Sequence, residues 1–454
     1  MAKDWLGNEV TVGAPETLAG IDDFLEGFLA YENKAVNIVP AADADPDSAI
    51  ANAYAAMLNM FLESPAAPTL AAPYMQRAEA AAERATPREQ AGVKAIRAWL
   101  DNDMPKAIAL SREIAAAWPT DLAIVKSCQY HCFNLGNAPG MLAVAEQAAP
   151  ANEAVPYMHG LLAFAYEQCH LLEEGEAAAR KAIAMKRKEP WAHHALAHVM
   201  LGQGRTEESR DFMTEMSETW TDLNSFMSTH NWWHLALNHI GMGSLDRALE
   251  IYDRHVWGIW KEYSQDQIGA VSLLLRLELA GQDVGTRWQD VADHLAAREH
   301  DFVQPFLTMQ YLYGLARAER PEADRLLANL RAFVAEAPAF AAAAWRQVAL
   351  PACEGLLAHA RGRHAEVLEA LGLALPRMTE IGGSHAQRDL FEQVFLDSLI
   401  QEGRLVPAQQ MLELRRGFDP LDVATNRALA GIYAKLDLPS EAAKASARVA
   451  QRAA

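Results

Sequence analysis

The sequence predicts an all-α protein, an α-solenoid of stacked helical hairpins forming a closed or strongly curved superhelix. Three observations predict it. With 454 residues the chain is too long for one ordinary compact core, and it suits an array that grows without a centre. Alanine is very frequent, Pro and Gly gather at segment ends, and strictly alternating β-branched runs are nearly absent. The chain also repeats itself between about Pro156 and Gly243. One shift lays Pro156 on Pro190, Leu162 on Leu196, Ala163 on Ala197 and Glu174 on Glu208, a period of roughly 34 residues, which makes the hairpins tetratricopeptide-like.

Residues 1–20 carry little periodicity and contain Gly7, Gly13, Pro15 and Gly20, so an extended N-terminal arm is expected there. From Ile21 to the end a single helical-repeat domain is expected, clearest over about 120–260 and degenerate over 261–454. IDDFLEGFLAYENKAVNIVPAA is apolar at helical spacing, with Pro40 as its stop. DPDSAIANAYAAMLNMFLES opens with Asp-Pro, as a helix start should. TPREQAGVKAIRAWLDN, MPKAIALSREIAAAWP and TDLAIVKSCQYHCFNLG are each about four helical turns long and closed by Pro, Gly or Asn. HLALNHIGMGSLDRALEIYD repeats the punctuation, Gly243 taking the part of Gly204. Beyond Asp266 the units lengthen, but helix and short turn still alternate to the C-terminus.

A net charge of -19 argues against binding a nucleic-acid backbone or an anionic membrane, since phosphate neutralisation needs a concentrated basic surface. Four cysteines are too few for a disulfide framework in this length. The N-terminus lacks the apolar core of a signal peptide and no segment is apolar for long enough to span a bilayer. A cytoplasmic protein is expected.

Two histidine pairs at i, i+4 dominate the candidate chemistry: His194 with His198, and His230 with His234. Each pair can point two neutral imidazoles at one spot, the arrangement of helical metal sites, so all four are candidate ligands for a divalent ion such as zinc, iron or manganese. No glutamate follows either first histidine, which rules out the metalloprotease helix. The competing reading is four core histidines, hydrogen-bonded across a repeat interface. In GGSHAQRD, Ser384 reads as an N-cap, and His385, Arg388 and Asp389 at the helix start could receive an anion. Equally, Arg388 and Asp389 could be an ion pair. Asp266 and Arg276 sit on the otherwise apolar QDQIGAVSLLLRLELAG, where each needs a partner or a ligand. Asp266 could serve a metal or act as a base, or merely favour a helix N-terminus. His300 joins the titratable set. Asn231 and Trp233, between the second pair of histidines, complete the candidate ligand-binding residues.

These stretches resemble the tetratricopeptide repeat protein 38 family, in a bacterial form. The resemblance rests on WAHHALAH from Trp191, THNWWHLAL from Thr229, ALEIYDRH from Ala248, LLLRLELAG with RWQDV over 273–291, and GGSHAQRDLF from Gly382, and it covers most of the chain. It implies a helical-repeat fold and a recurrent polar set at His194, His198, His230, Asn231, His234, Asp266, Arg276, His300, Arg388 and Asp389, with no settled activity. One departure is visible: where relatives carry Asn-Asp-x-His after a phenylalanine, this chain has Leu307, Thr308, Met309 and Gln310 after Phe306.

Two functions follow. The first is an enclosed site for a small-molecule ligand, with or without a metal, in a hydrolase or lyase using His230, His234, Asp266 and His300 for proton transfer and Asn231, Trp233, Arg276, His385, Arg388 and Asp389 for binding. The second is a non-enzymatic scaffold that binds a peptide or partner protein in a concave groove. Residue chemistry favours the first and fold analogy the second.

Overall fold

The computed structural model describes residues 2–453, and from Pro15 to Ala453 helix follows helix across short turns. The protein is all-α apart from a small antiparallel pairing of Ala2–Lys3 with Glu9–Val10. Two compact units divide it: residues up to Leu196 with Thr219–Met227, and Ala197–Glu218 with the chain from Ser228 on. Among the described residues no helix is long and apolar enough to cross a membrane.

In the first unit the helices from Pro15–Ala30 to Leu172–Met185 pack chiefly on their sequence neighbours, as hairpin repeats do. Thr86 and Glu89 close a capping box on the helix Pro87–Leu100. Two earlier expectations are corrected. The arm stops at residue 14, because Pro15 takes the first helical position with Glu16 in the first turn. Gly20 is no breaker: a Cβ there would lie 2.3 Å from Ala41 Cβ, so glycine lets two helices touch. Nor does Pro40 end a helix. Tyr31 does, in the left-handed conformation at φ 58°, while Pro40 sits in the first turn of Ile38–Ala44, where its missing N–H costs nothing. The 34-residue shift is matched in local structure, since Pro156 and Pro190 are each the first residue of a helix.

In the second unit the pattern persists from Thr206–Met216 to Pro439–Ala453. Two places depart from nearest-neighbour packing: Thr206, at the start of its helix, donates to Asp419 more than two hundred residues on, and a long inner helix makes a second return contact. Ser264–Leu279, buried along almost its whole length, packs on Pro305–Arg317 and also on the distant His385–Gln401. That return contact positions the polar residues described next. At the far end a small separate core, with Leu396, Leu412, Leu429 and Ala445 among its members, holds the last helices.

Candidate functional site: a histidine cluster

The helix Pro190–Gly202 starts where the Glu189 carboxylate accepts the Ala192 N–H, an acidic cap. Glu189 is fully buried, and burial pushes its carboxyl up to about 8 despite that bond. His194 belongs to the first unit. Its ring stacks on Trp191 at 4.4 Å and stands 5.1 Å from Phe164. His198, one turn on along the same helix, belongs to the second.

Within the second unit three imidazoles meet. His198 and His234 have ring centroids 4.5 Å apart, and His230 and His234 4.8 Å, edge to face. Each offers one ring nitrogen within 4.8 Å of the other two. His198 and His234 are buried, whereas His230 keeps some exposed surface. Burial, and then the charge His198 could carry, still push His230 down to about 3, so its ring is neutral at neutral pH. Neutral imidazole nitrogens are ligands zinc accepts. Trp233 stacks on His230 at 5.3 Å, and the Arg276 guanidinium lies 5.2 Å from the centre of the same indole. A cation would therefore meet a nearby positive charge, and the histidine group contains no carboxylate to offset it.

A narrow cavity adjoins these rings, lined among others by His230, Trp233, Ser272, Phe306, Gln310 and Gln387, with room for about one water. Trp233 Nε1 and Gln310 Nε2 are buried and have no hydrogen-bond partner among the described residues. Two orphan donors beside one void call for an acceptor such as a water oxygen.

The other candidate residues are engaged or remote. Asp266, fully buried, accepts from Thr229 Oγ1 and from the Trp260 N–H, each at 3.2 Å. Arg276 donates to Ser272 Oγ and to the carbonyl of Ala386, tying its helix to the start of His385–Gln401; burial brings it down to about 10. Ser384 is the N-cap expected, and its capping box with Gln387 occupies donors that an anion would need. Arg388 turns back to the carbonyl of Gly383 and stands 3.4 Å from His385 Nδ1. Asp389 does not pair with Arg388. Its partner is Arg415 on the following helix, which holds the carboxyl at about 2 against the burial that would raise it. His300 is exposed, with Nε2 3.4 Å from Asn329 Nδ2, and it does not join the histidine group. Asn231 is buried beside His230 in sequence. Sequence reasoning missed Ser272, Gln387 and the cavity role of Gln310. A signal existed for Gln310, which stands four residues after Phe306 on one helix, so the two share a face.

No protein-family model matches the chain. Among solved structures, an IFIT1 monomeric mutant with Gppp-AAAA shares 13% identity over 95% of both chains, with a TM-score of 0.41. The human IFIT1 dimer with PPP-AAAA shares 12% over 98% of this chain and 96% of that one, TM-score 0.40. Naa15/Naa10 bound to HypK-THB shares 14% over 81% of this chain and 64% of that one, TM-score 0.25. Likenesses this distant bear on neither the site nor its ligand.

Proposed function

We propose that this protein is a non-enzymatic helical-repeat scaffold that takes a peptide or partner protein on its helix faces. The supporting observation lies on the helix Leu405–Phe418. Leu414 and Phe418 are four residues apart and each 71% exposed, so they present adjoining apolar side chains to water. A large apolar pair of this kind is what a partner's anchor residues cover. The charge of -19 favours a partner that flanks its apolar anchors with basic residues. In this reading the histidines are interior: three rings packed on one another and on Trp233, beside a void that admits a water and not a metabolite. The free cysteines suit a cytoplasmic setting. The test is selection from a displayed peptide library, comparing wild type with a Leu414→Asp, Phe418→Asp double variant. The variant should lose at least tenfold in affinity for the peptides wild type selects, with an unchanged melting temperature. Selection of no peptide by wild type, or equal binding by both, sinks the reading.

The meeting of His198, His230 and His234 within the second unit favours a second reading: a divalent-metal site on those three imidazoles, in a small-ligand hydrolase or lyase where His230, His234 and Asp266 move protons. Elemental analysis of tag-free protein decides between the two. A loss of one zinc, iron or manganese per chain in a His198→Ala, His234→Ala variant supports the second; an unchanged metal content in that variant rejects it.

A further inference from the structure

We propose that His359, His364 and Asp397 form a separate site for a divalent transition-metal ion such as zinc, with two imidazoles, one carboxylate and an open position for water. The three come from three helices of the second unit: the last turn of Leu350–Ala360, the first residue of His364–Ala374, and His385–Gln401. Each offers one ligand atom within 4.8 Å of the other two; the Asp397 side chain keeps 27% of its surface exposed and His359 only 9%, so the carboxylate is the solvent-facing ligand. Tetrahedral zinc with bonds of 2.0–2.1 Å needs neighbouring ligands about 3.3 Å apart. His359 Nε2 and Asp397 Oδ2 already stand 3.0 Å apart, so closure falls mainly to a rotation of His364.

The protons around the site are arranged for it. Ser398 Oγ lies 3.0 Å from the Val394 carbonyl and spends its one hydrogen there. It can therefore only accept from His364 Nδ1, 3.2 Å away. That fixes the tautomer: His364 carries its proton on Nδ1, and Nε2 keeps a free lone pair. His359 is held on both sides, with Nδ1 3.1 Å from the Tyr313 hydroxyl and Nε2 on Asp397. Without metal, Nε2–H donates to Asp397 and Tyr313 donates to Nδ1. With metal on Nε2, the imidazole proton sits on Nδ1 and donates to Tyr313 Oη, so the ring stays neutral and no proton need be released. Outer partners of this type orient metal-bound histidines generally. Charge favours the ion as well. Asp397 supplies a negative charge that the first histidine group lacks, and the cations of the intervening turn are engaged elsewhere, Arg361 with Asp324 and Arg363 with Glu366.

The test uses tag-free, chelator-stripped full-length protein. Zinc is titrated against a chromophoric chelator, and cobalt is followed by its visible absorption, in wild type and in a His198→Ala, His234→Ala background that removes the first cluster. One ion per chain should persist in that background. Adding His364→Ala or Asp397→Asn should weaken it at least tenfold, and Ser398→Ala should weaken it by a smaller factor. If the background fails to fold, His364→Ala in the wild-type chain must lower the zinc stoichiometry by one. Wild-type protein that binds no zinc, or a His364→Ala variant that binds as its parent does, overturns the proposal and leaves a Tyr313–His359–Asp397 ion-pair lock between helices.

Discussion

His230 makes a prediction that needs no ligand. Its folded value near 3 lies below the ordinary 6.5 of an unfolded histidine, so between those values the unfolded chain binds a proton that the native ring refuses. His131, also near 3, and His193, near 4, add to the effect through burial. The stability these neutral rings permit is complete above about pH 6.5, falls as pH drops through the window, and levels off below about 3. Urea denaturation at pH 7 and pH 5 should show a lower midpoint at pH 5. His230→Gln, which removes one of the three, should shrink that difference; an unchanged difference rules out a neutral buried ring. At this scale the sequence was legible wherever spacing alone decides a neighbour. Both histidine pairs lie on single helices, and within the second unit three of the four rings, His198, His230 and His234, meet. It was illegible where the partner sits on another helix: Asp389 finds Arg415, 26 residues away, and no pattern marks that choice. His300 was misjudged for a related reason, since a titratable side chain reads alike whether it is buried or, as here, exposed.

Among elements, the closest helix approaches depend on missing side chains. A Cβ on Gly27 would lie 2.4 Å from the backbone nitrogen of Ala35, and backbone cannot step aside as a side chain can. Gly27→Ala should therefore cost about 1–3 kcal/mol, as overpacking does, seen as a lower urea midpoint with an unchanged slope. A shift within error would mean that the Asn33–Asn37 turn relaxes freely. At the start of His385–Gln401, Ser384→Ala removes the capping hydroxyl and should cost about 1 kcal/mol. Helix starts marked by Pro or by a capping box were readable because the signal is local to four residues. The stop at Tyr31 was not, because a left-handed tyrosine has no sequence signature, and Pro40 looked like a terminator until its place in a first turn became visible.

For the whole molecule, neighbour-to-neighbour packing implies that stability is distributed along the chain rather than pooled. The last helices, from Leu405 on, rest on a small core shared with the end of His385–Gln401, with Leu396, Leu412, Leu429 and Ile432 among its members. Hydrogen exchange read by mass spectrometry should show residues 405–453 opening at lower free energy than the helices around Ser264–Leu279. Uniform protection across both regions would contradict that ordering. The repeat class was legible from the 34-residue period, but the packing of Ser264–Leu279 on His385–Gln401 was not, since it joins segments more than a hundred residues apart.

Gly160 and the Glu189 cap share one volume: a Cβ on residue 160 would come within 2.9 Å of Glu189 Oε2. The two positions are therefore expected to drift together in evolution. Homologues that carry alanine or serine at 160 should show a shortened or neutral residue at 189, and laboratory reversion of either one alone should be rescued by the matching change in the other.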